Sequence, residues 1–193
     1  MTESPRKKLQ IGEILRVEIE KVAHGGHFIA RHEGAVLFVR HAIPGEIVEV
    51  EVTGVEKSFA RADVVAVIEP SAHRMQPPCQ YAGRCGGCDF QHIDSAYQRT
   101  LKSDVIAEQF ARIAKMEVEV VVEEVSSPLH WRSRFAASTN SRGEAGFKAQ
   151  RSNEVISITS CPVLIPEIDF PTLPIDQVGA DKRIEVALSS TGE

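Results

Sequence analysis

The sequence predicts a mainly β protein with some α-helix: an N-terminal five-stranded OB-like barrel, a cysteine cluster with a helix after it, and then a β-rich central domain. Three observations predict it. The first 70 residues hold five short apolar segments separated by glycine or proline turns every 8–12 residues, the pattern of a small barrel. Cys79, Cys85 and Cys88 crowd into one short stretch, with Cys161 far along the chain. Apolar alternation then returns from Val118 onward. The expected boundaries are 1–70 for the barrel, 71–92 for the linker and cysteine motif, and 93–193 for the helix and central domain.

Each barrel strand has a local reason. Leu15, Val17 and Ile19 alternate with Arg16, Glu18 and Glu20, the two-residue period of a strand with one wet face. His24-Gly25-Gly26-His27 is a tight turn, because glycine reaches positive φ without steric cost. Phe28-Ile29-Ala30 follows, and Glu33-Gly34 turns the chain again. Ala35–Val39 is a continuous apolar run, which predicts a strand covered on both faces. Pro44-Gly45 breaks the chain, Val48, Val50 and Val52 alternate with polar residues, and a fifth strand runs through about Ala62–Ile68.

Pro70 to Pro78 reads as a linker. Beyond the cysteines, Ser95-x-x-Gln98 has the form of a capping box. Tyr97, Leu101, Val105, Phe110 and Ile113 make a stripe at roughly helical spacing and are expected in the core. Arg112 and Lys115 suit the negative end of that helix. Val118, Val120 and Val122 alternate with glutamates, so a strand is expected there, followed by strands over Arg132–Thr139, Glu144–Ala149, Val155–Thr159 and Ile184–Leu188. Ser141-Arg142-Gly143 is a hairpin turn. The closing Ser189-Ser190-Thr191-Gly192-Glu193 reads as a turn with no strand after it, the expectation for a truncated chain.

Composition narrows the class of function. Hydrophobic residues make up 42% and charged residues 25%, as in a folded globular protein. No apolar run reaches membrane-spanning length, and the basic start MTESPRKKLQ lacks the apolar core of a secretory signal. A cytoplasmic, membrane-free monomer is the expectation. The net charge of −5 argues against a whole-chain electrostatic grip on nucleic acid. Residues 130–151 depart from that average: Arg132, Arg134, Arg142, Lys148 and Arg151 stand against a single Glu144. Such a strip suits a polyanion, and equally a solvated strand face.

The cysteines carry the sharpest signal. Their spacing is C-x5-C-x2-C, with 72 residues between the third and the fourth. Disulfides are disfavoured in the cytosol, so a metal site formed by Cys79, Cys85, Cys88 and Cys161 is expected over ordinary buried thiols. Gly86-Gly87 lets backbone amides approach the sulfurs, and Pro162 after Cys161 matches the Cys-Pro end of ferredoxin-type ligand runs. Zinc would accept the same thiolates, although two paired CxxC knuckles are its usual signature. A 4Fe–4S cluster is the favoured occupant.

The motif Cys79-x5-Cys85-Gly86-Gly87-Cys88-x2-Gln91-His92, with Cys161 far downstream, resembles the iron–sulfur motif of the RNA 5-methyluridine methyltransferases. The barrel, with His24-Gly25-Gly26, Phe38-Val39 and Ile43-Pro44-Gly45-Glu46, resembles their TRAM domain. Trp131-Arg132-Ser133-Arg134, Gly146-Phe147-Lys148 and Cys161-Pro162-Val163-Leu164 resemble their central domain. The resemblance implies an enzyme that moves a methyl group from S-adenosylmethionine to C5 of a uridine in rRNA or tRNA. In that chemistry a cysteine thiolate first adds to C6, because C5 of uracil is otherwise a poor nucleophile. The chain departs from the family here. All four cysteines match ligand positions and none remains as nucleophile, and no strand–glycine loop–helix unit seats the methyl donor. The expectation is therefore the N-terminal part of such an enzyme, with no catalytic residue of its own, inactive alone, and with the methyl-transfer domain beyond Glu193.

RNA contacts are expected from Arg31, Lys57, Phe59 and Arg61 on the barrel, and from Arg132, Arg134 and Lys148 in the central domain. Trp131 is expected in the core rather than against a base, and His24 and His27 lack partners spaced to join them on a metal. Two other readings remain open on sequence: a non-catalytic RNA-binding protein with a structural iron–sulfur or zinc site, and an electron carrier.

Overall fold

The structure, a computed structural model, describes residues 9–189. The basic start and the last four residues of the closing turn lie outside the described residues. Contacts divide the chain into two compact units. One joins the chain up to Gln76 with His92–Glu123; the other joins Pro77–Gln91 with the chain from Glu124 on. This differs from the expected boundaries. The helix groups with the barrel, and the cysteine loop groups with the later sheet.

In the first unit, β1 (Ile14–Ala23), β2 (His27–His32), β3 (Ala35–Arg40), β4 (Ile47–Val55) and β5 (Ala60–Glu69) close into a barrel in the order β1-β2-β3-β5-β4. All pairings are antiparallel except β3 with β5. The alternating residues fill the interior as expected: Leu15, Val17, Ile19, Val48, Val50 and Val52 are all buried, around a fully buried Phe28. Gly25 and Gly26 both hold positive φ, 90° and 78°, between β1 and β2. The apolar run of β3 is less uniform than expected. Leu37 and Val39 face the interior with no exposure, whereas Ala35, Val36 and Phe38 are half-buried.

Pro70–Gln76 is no free linker. Arg74 grips the fully buried Glu46 through two 2.6 Å hydrogen bonds, from Nε to Oε1 and from Nη2 to Oε2. The backbone amides of Ile43 and Ser71 donate to the same carboxylate at 2.9 and 3.1 Å. Met75 N–H and Asp94 N–H then pair with His92 O and His73 O. Glu46 thus ties the segment after the barrel back onto it.

Helix α1 (Ser95–Gln109) starts one residue earlier in its capping than the sequence suggests. Asp94 is the N-cap and accepts from Tyr97 N–H at 2.8 Å; Gln98 reaches back to donate to Ile93 O. Lys21 on β1 meets Glu108 near the helix end at 2.7 Å. Leu101 is buried, but Phe110 and Ile113, expected in the core, are 43% and 72% exposed. They lie in a widened turn, Phe110–Ala114, closed by Lys115 in the left-handed conformation at φ 58°. The strand expected over Val118–Val122 does not form. That stretch has no regular pairing, although Val122 N–H donates to Ser103 Oγ at 3.1 Å.

The second unit is a four-stranded antiparallel sheet. It has β6 (Arg134–Thr139), β7 (Ala145–Lys148), β8 (Val155–Ser157) and β9 (Arg183–Ala187) in the order β8-β7-β6-β9. The expected hairpin turn after β6 is present, braced by Asn140, whose Oδ1 accepts from Arg142 N–H and Glu144 N–H. Phe135, Ala137, Ile156, Leu164, Phe170 and Ile175 form its core. Among the described residues, no helix is long and apolar enough to cross a membrane.

Candidate metal centre

The cysteine loop is held against β7 by backbone. Cys85 bridges to Ala149, and Gly86 N–H donates to Lys148 O at 3.0 Å. A Cβ on Gly86 would meet Gln150 N at 2.9 Å and Lys148 O at 3.0 Å, so only glycine permits this approach. On the other side, Cys161 sits in a turn in which Leu164 N–H donates to Cys161 O at 3.1 Å. Trp131 N–H and Arg132 N–H fasten that turn through Val163 O at 3.1 and 2.8 Å.

The result is one cavity of about 240 Å³ with all four cysteines on its wall. Each thiol is free and half-buried. Phe135, Phe147 and Val163 give the wall an apolar part, and Arg132 adds a guanidinium residue to it. Phe135 and Phe147 pack edge to face at 5.7 Å.

Burial and the neighbouring sulfurs act together on two of the thiols. Burial pushes the Cys85 thiol above its ordinary pKa, and the other three sulfurs push the same way. Burial also raises Cys161, with Cys88 and Cys79 adding to it. Amide donors oppose these effects. Gly87 N–H points at Cys85 Sγ at 3.4 Å, and Val163 and Leu164 amides face Cys161. Amides aimed at sulfur stabilise thiolate charge, which is what bound metal requires.

Among the described residues, no three His, Cys, Asp or Glu side chains are gathered so as to hold a metal ion. A single zinc ion with bonds near 2.3 Å needs its sulfurs only about 3.8 Å apart. In a polynuclear iron–sulfur cluster each iron takes its own thiolate, so the ligands stand further apart around a larger body. The cavity wall combines four thiols with amide donors and apolar rings.

The other singled-out residues fall into two sets, one in each unit. On the barrel, the Arg61 guanidinium lies 5.0 Å from the Phe59 ring centroid, and Phe59 packs edge-on against Phe38 at 5.1 Å. Phe38 in turn meets His27. Neither Phe38 nor His27 was singled out with Phe59 and Arg61; they join that aromatic cluster because β2, β3 and β5 are neighbours. Lys57 is exposed in the turn before them, while Arg31 is paired with Glu20. In the second unit, Arg132 lines the cavity and lies 5.0 Å from the Trp131 ring. Trp131 is 52% exposed rather than in the core. Arg134 is exposed and pairs with Glu185 at 3.3 Å, and Lys148 donates to Asn153 at 2.9 Å. His92, part of the cysteine motif by sequence, is a buried residue of the first unit. Its Nε2–H donates to Ala42 O at 3.0 Å.

Residues 8–65 match the TRAM domain. The chain is 43% identical over 175 residues to an uncharacterized RNA methyltransferase of Streptomyces avermitilis, covering 82% of this chain and 40% of that protein. It is 33% identical over 201 residues to the 23S rRNA (uracil(1939)-C(5))-methyltransferase RlmD of Shewanella piezotolerans, covering 97% of this chain and 45% of that protein. The solved Pyrococcus abyssi tRNA (uracil-54, C5)-methyltransferase, in complex with S-adenosyl-L-homocysteine, aligns with 78% of this chain and 33% of its own. It does so at 25% identity and a TM-score of 0.49. The chain spans about two fifths of the length of the curated relatives it matches. The barrel and the curated matches agree: residues 8–65 form a TRAM domain, and the chain is similar, over about two fifths of their length, to RNA methyltransferases that include a 23S rRNA uracil-C5 enzyme.

Proposed function

We propose that this chain is the RNA-recognition portion of an S-adenosylmethionine-dependent RNA uracil-C5 methyltransferase, and that Cys79, Cys85, Cys88 and Cys161 hold a 4Fe–4S cluster within it. The observation that carries the reading is the meeting on one cavity of three clustered thiols and the distant Cys161, in a chain 33% identical over 97% of its length to a 23S rRNA uracil methyltransferase. When bound, the cluster supplies a covalent cross-link between the cysteine loop and the Cys161 turn. Arg132 offsets the negative charge of the thiolates, and the Gly87, Val163 and Leu164 amides orient the sulfurs. The substrate is rRNA or tRNA, which sets the protein's work in the cytoplasm. Arg31, Lys57, Phe59 and Arg61 contact it from the barrel, and Arg132, Arg134 and Lys148 from the second unit. Stacking on an aromatic ring backed by a guanidinium is a sequence-tolerant way to hold an unpaired base.

A second reading has its own support. The four cysteines of the chain all line the cavity, so none is left to add to uracil C6. On that reading the chain binds RNA and transfers no methyl group by itself.

Anaerobic purification followed by visible absorption and metal analysis tests the cluster. Iron and acid-labile sulfide in equal amounts are expected. A colourless protein with one zinc per chain would overturn the iron assignment and leave the ligand set standing. Full iron occupancy in Cys85→Ser would show that the ligand set is wrong. RNA binding that weakens with salt is expected of the chain, and salt-indifferent binding would remove both readings.

A further inference from the structure

The second unit has another concavity, a polar cleft of about 620 Å³ at the β6–β7 turn, lined also by the loop that leads into β9. Arg142, Lys148, Lys182 and Arg183 line it, against Glu154 and Asp181. In a chain of net charge −5 the lining itself carries more cations than carboxylates, with Arg142 and Arg183 also paired to the neighbouring Glu144 and Glu185. Among the described residues its lining holds no aromatic ring.

The cleft is built rather than incidental. Thr139, almost fully buried in its floor, donates through Oγ1 to Gly179 O at 2.7 Å and accepts from Lys182 N–H at 2.9 Å. This fixes the loop that carries the two neighbouring cations. Asn140 fixes the opposite rim through its two amide contacts, and Glu144 holds the Arg142 guanidinium at 2.8 Å. Side chains oriented in advance lose less freedom when a ligand arrives.

We propose that this cleft is a phosphate-backbone track for RNA, in which Arg142, Lys148, Lys182 and Arg183 neutralise successive phosphates without reading bases. The inference rests on the RNA-recognition reading above and divides its labour. The barrel's Phe59–Arg61 pair offers a ring to a base, whereas the cleft, whose lining has no ring, offers nothing to stack on and contacts only the backbone. Contacts of this kind position nucleic acid and carry no sequence information.

The test uses the full chain with its metal site intact and fluorescein-labelled oligouridine and oligoadenosine, with anisotropy followed between about 50 and 200 mM salt. In Lys182→Ala/Arg183→Ala, the slope of log affinity against log salt is expected to shrink by about 1.4, at roughly 0.7 per single-strand phosphate contact. Both oligonucleotides should lose affinity by the same factor. Asp181→Asn should raise affinity by about threefold, the worth of one exposed charge. Asp181 holds φ 55°, a conformation asparagine shares, so this variant keeps the backbone and decides the matter should the double variant not fold. An unchanged slope in the double variant, an unchanged affinity in Asp181→Asn, or a loss confined to one base would overturn the track while leaving RNA recognition by the barrel intact. Salt-indifferent binding by the unaltered protein would overturn RNA recognition itself, and the track with it.

Discussion

Glu46 shows how one side chain can decide whether a segment belongs to a domain. Its carboxylate is fully buried and accepts four hydrogen bonds, two from Arg74 and two from backbone amides. Taking Arg74 away leaves a charge in the barrel wall with half its partners. Arg74→Ala is therefore expected to cost about 3–5 kcal/mol, the usual penalty for breaking a buried pair. Urea unfolding followed by far-UV circular dichroism measures it. The exposed pair Arg134–Glu185 is the control: Glu185→Gln should cost under about 1 kcal/mol, because water and salt already screen it. Equal costs would show that burial is not what gives the Glu46 contact its weight.

His92 supplies the pH dependence at the same scale. Burial lowers its pKa from the ordinary 6.5 to about 4, with Arg74 and His41 adding to the effect; the contact to Ala42 O and the charge of Glu46 oppose it. The folded state therefore binds fewer protons than the unfolded chain between those two values. Stability is full above about pH 6.5 and falls as the pH drops toward 4, by on the order of 3 kcal/mol for this group. His92→Asn should flatten that part of the stability–pH curve. A slope between pH 4 and 6.5 identical to that of the unaltered protein would assign the acid sensitivity elsewhere.

At the level of elements, the strands were legible because their cause is local. Alternation in β1 and β4 encodes which side is dry, and glycine or proline between strands encodes where the chain turns. The helix was half legible. Asp94 and Ser95 are both good caps, and Gln98 stands three residues after Ser95, so the pattern favoured the wrong one; the hydrogen bond to Tyr97 N–H selects Asp94. Asp94→Ala should cost about 1 kcal/mol and Ser95→Ala only a few tenths in thermal unfolding, the reverse of what the capping-box reading demands. The valines at 118–122 alternate like a strand, yet have no ladder partner among the described residues, and pairing across the chain is what a single-sequence pattern cannot supply. The thiols were legible from their spacing. Their apolar wall was not, because Phe135 and Phe147 reach the cavity through the β6–β7 pairing. Gly86 links element to site. Gly86→Ala must push the loop off backbone atoms that cannot yield, and is expected to lower iron content well below one cluster per chain and to destabilise the second unit by about 1–3 kcal/mol. Normal metal content in that variant would mean that the loop can seat its ligands without touching β7.

At the level of the molecule, the chain divides into two units, and the four cysteines proposed as metal ligands all belong to one of them. Cys79–Cys88 and Cys161 enclose a long stretch of chain, so a metal cross-link between them restricts mainly the unfolded state of the second unit. The first unit's stability comes instead from barrel burial and from Glu46. Removing the metal should therefore separate the two. The single tryptophan, Trp131, belongs to the second unit and reports on it alone, whereas helix α1 belongs to the first and dominates the helical signal in circular dichroism. In holoprotein treated with chelator under reducing conditions, the tryptophan transition is expected to move to lower urea, while the helical transition stays where it was. Arg74→Ala should do the opposite, moving the helical transition and sparing the tryptophan. Coincident transitions under both treatments would show one cooperative molecule, and the metal would then have to stabilise the barrel as well as the sheet that supplies its ligands.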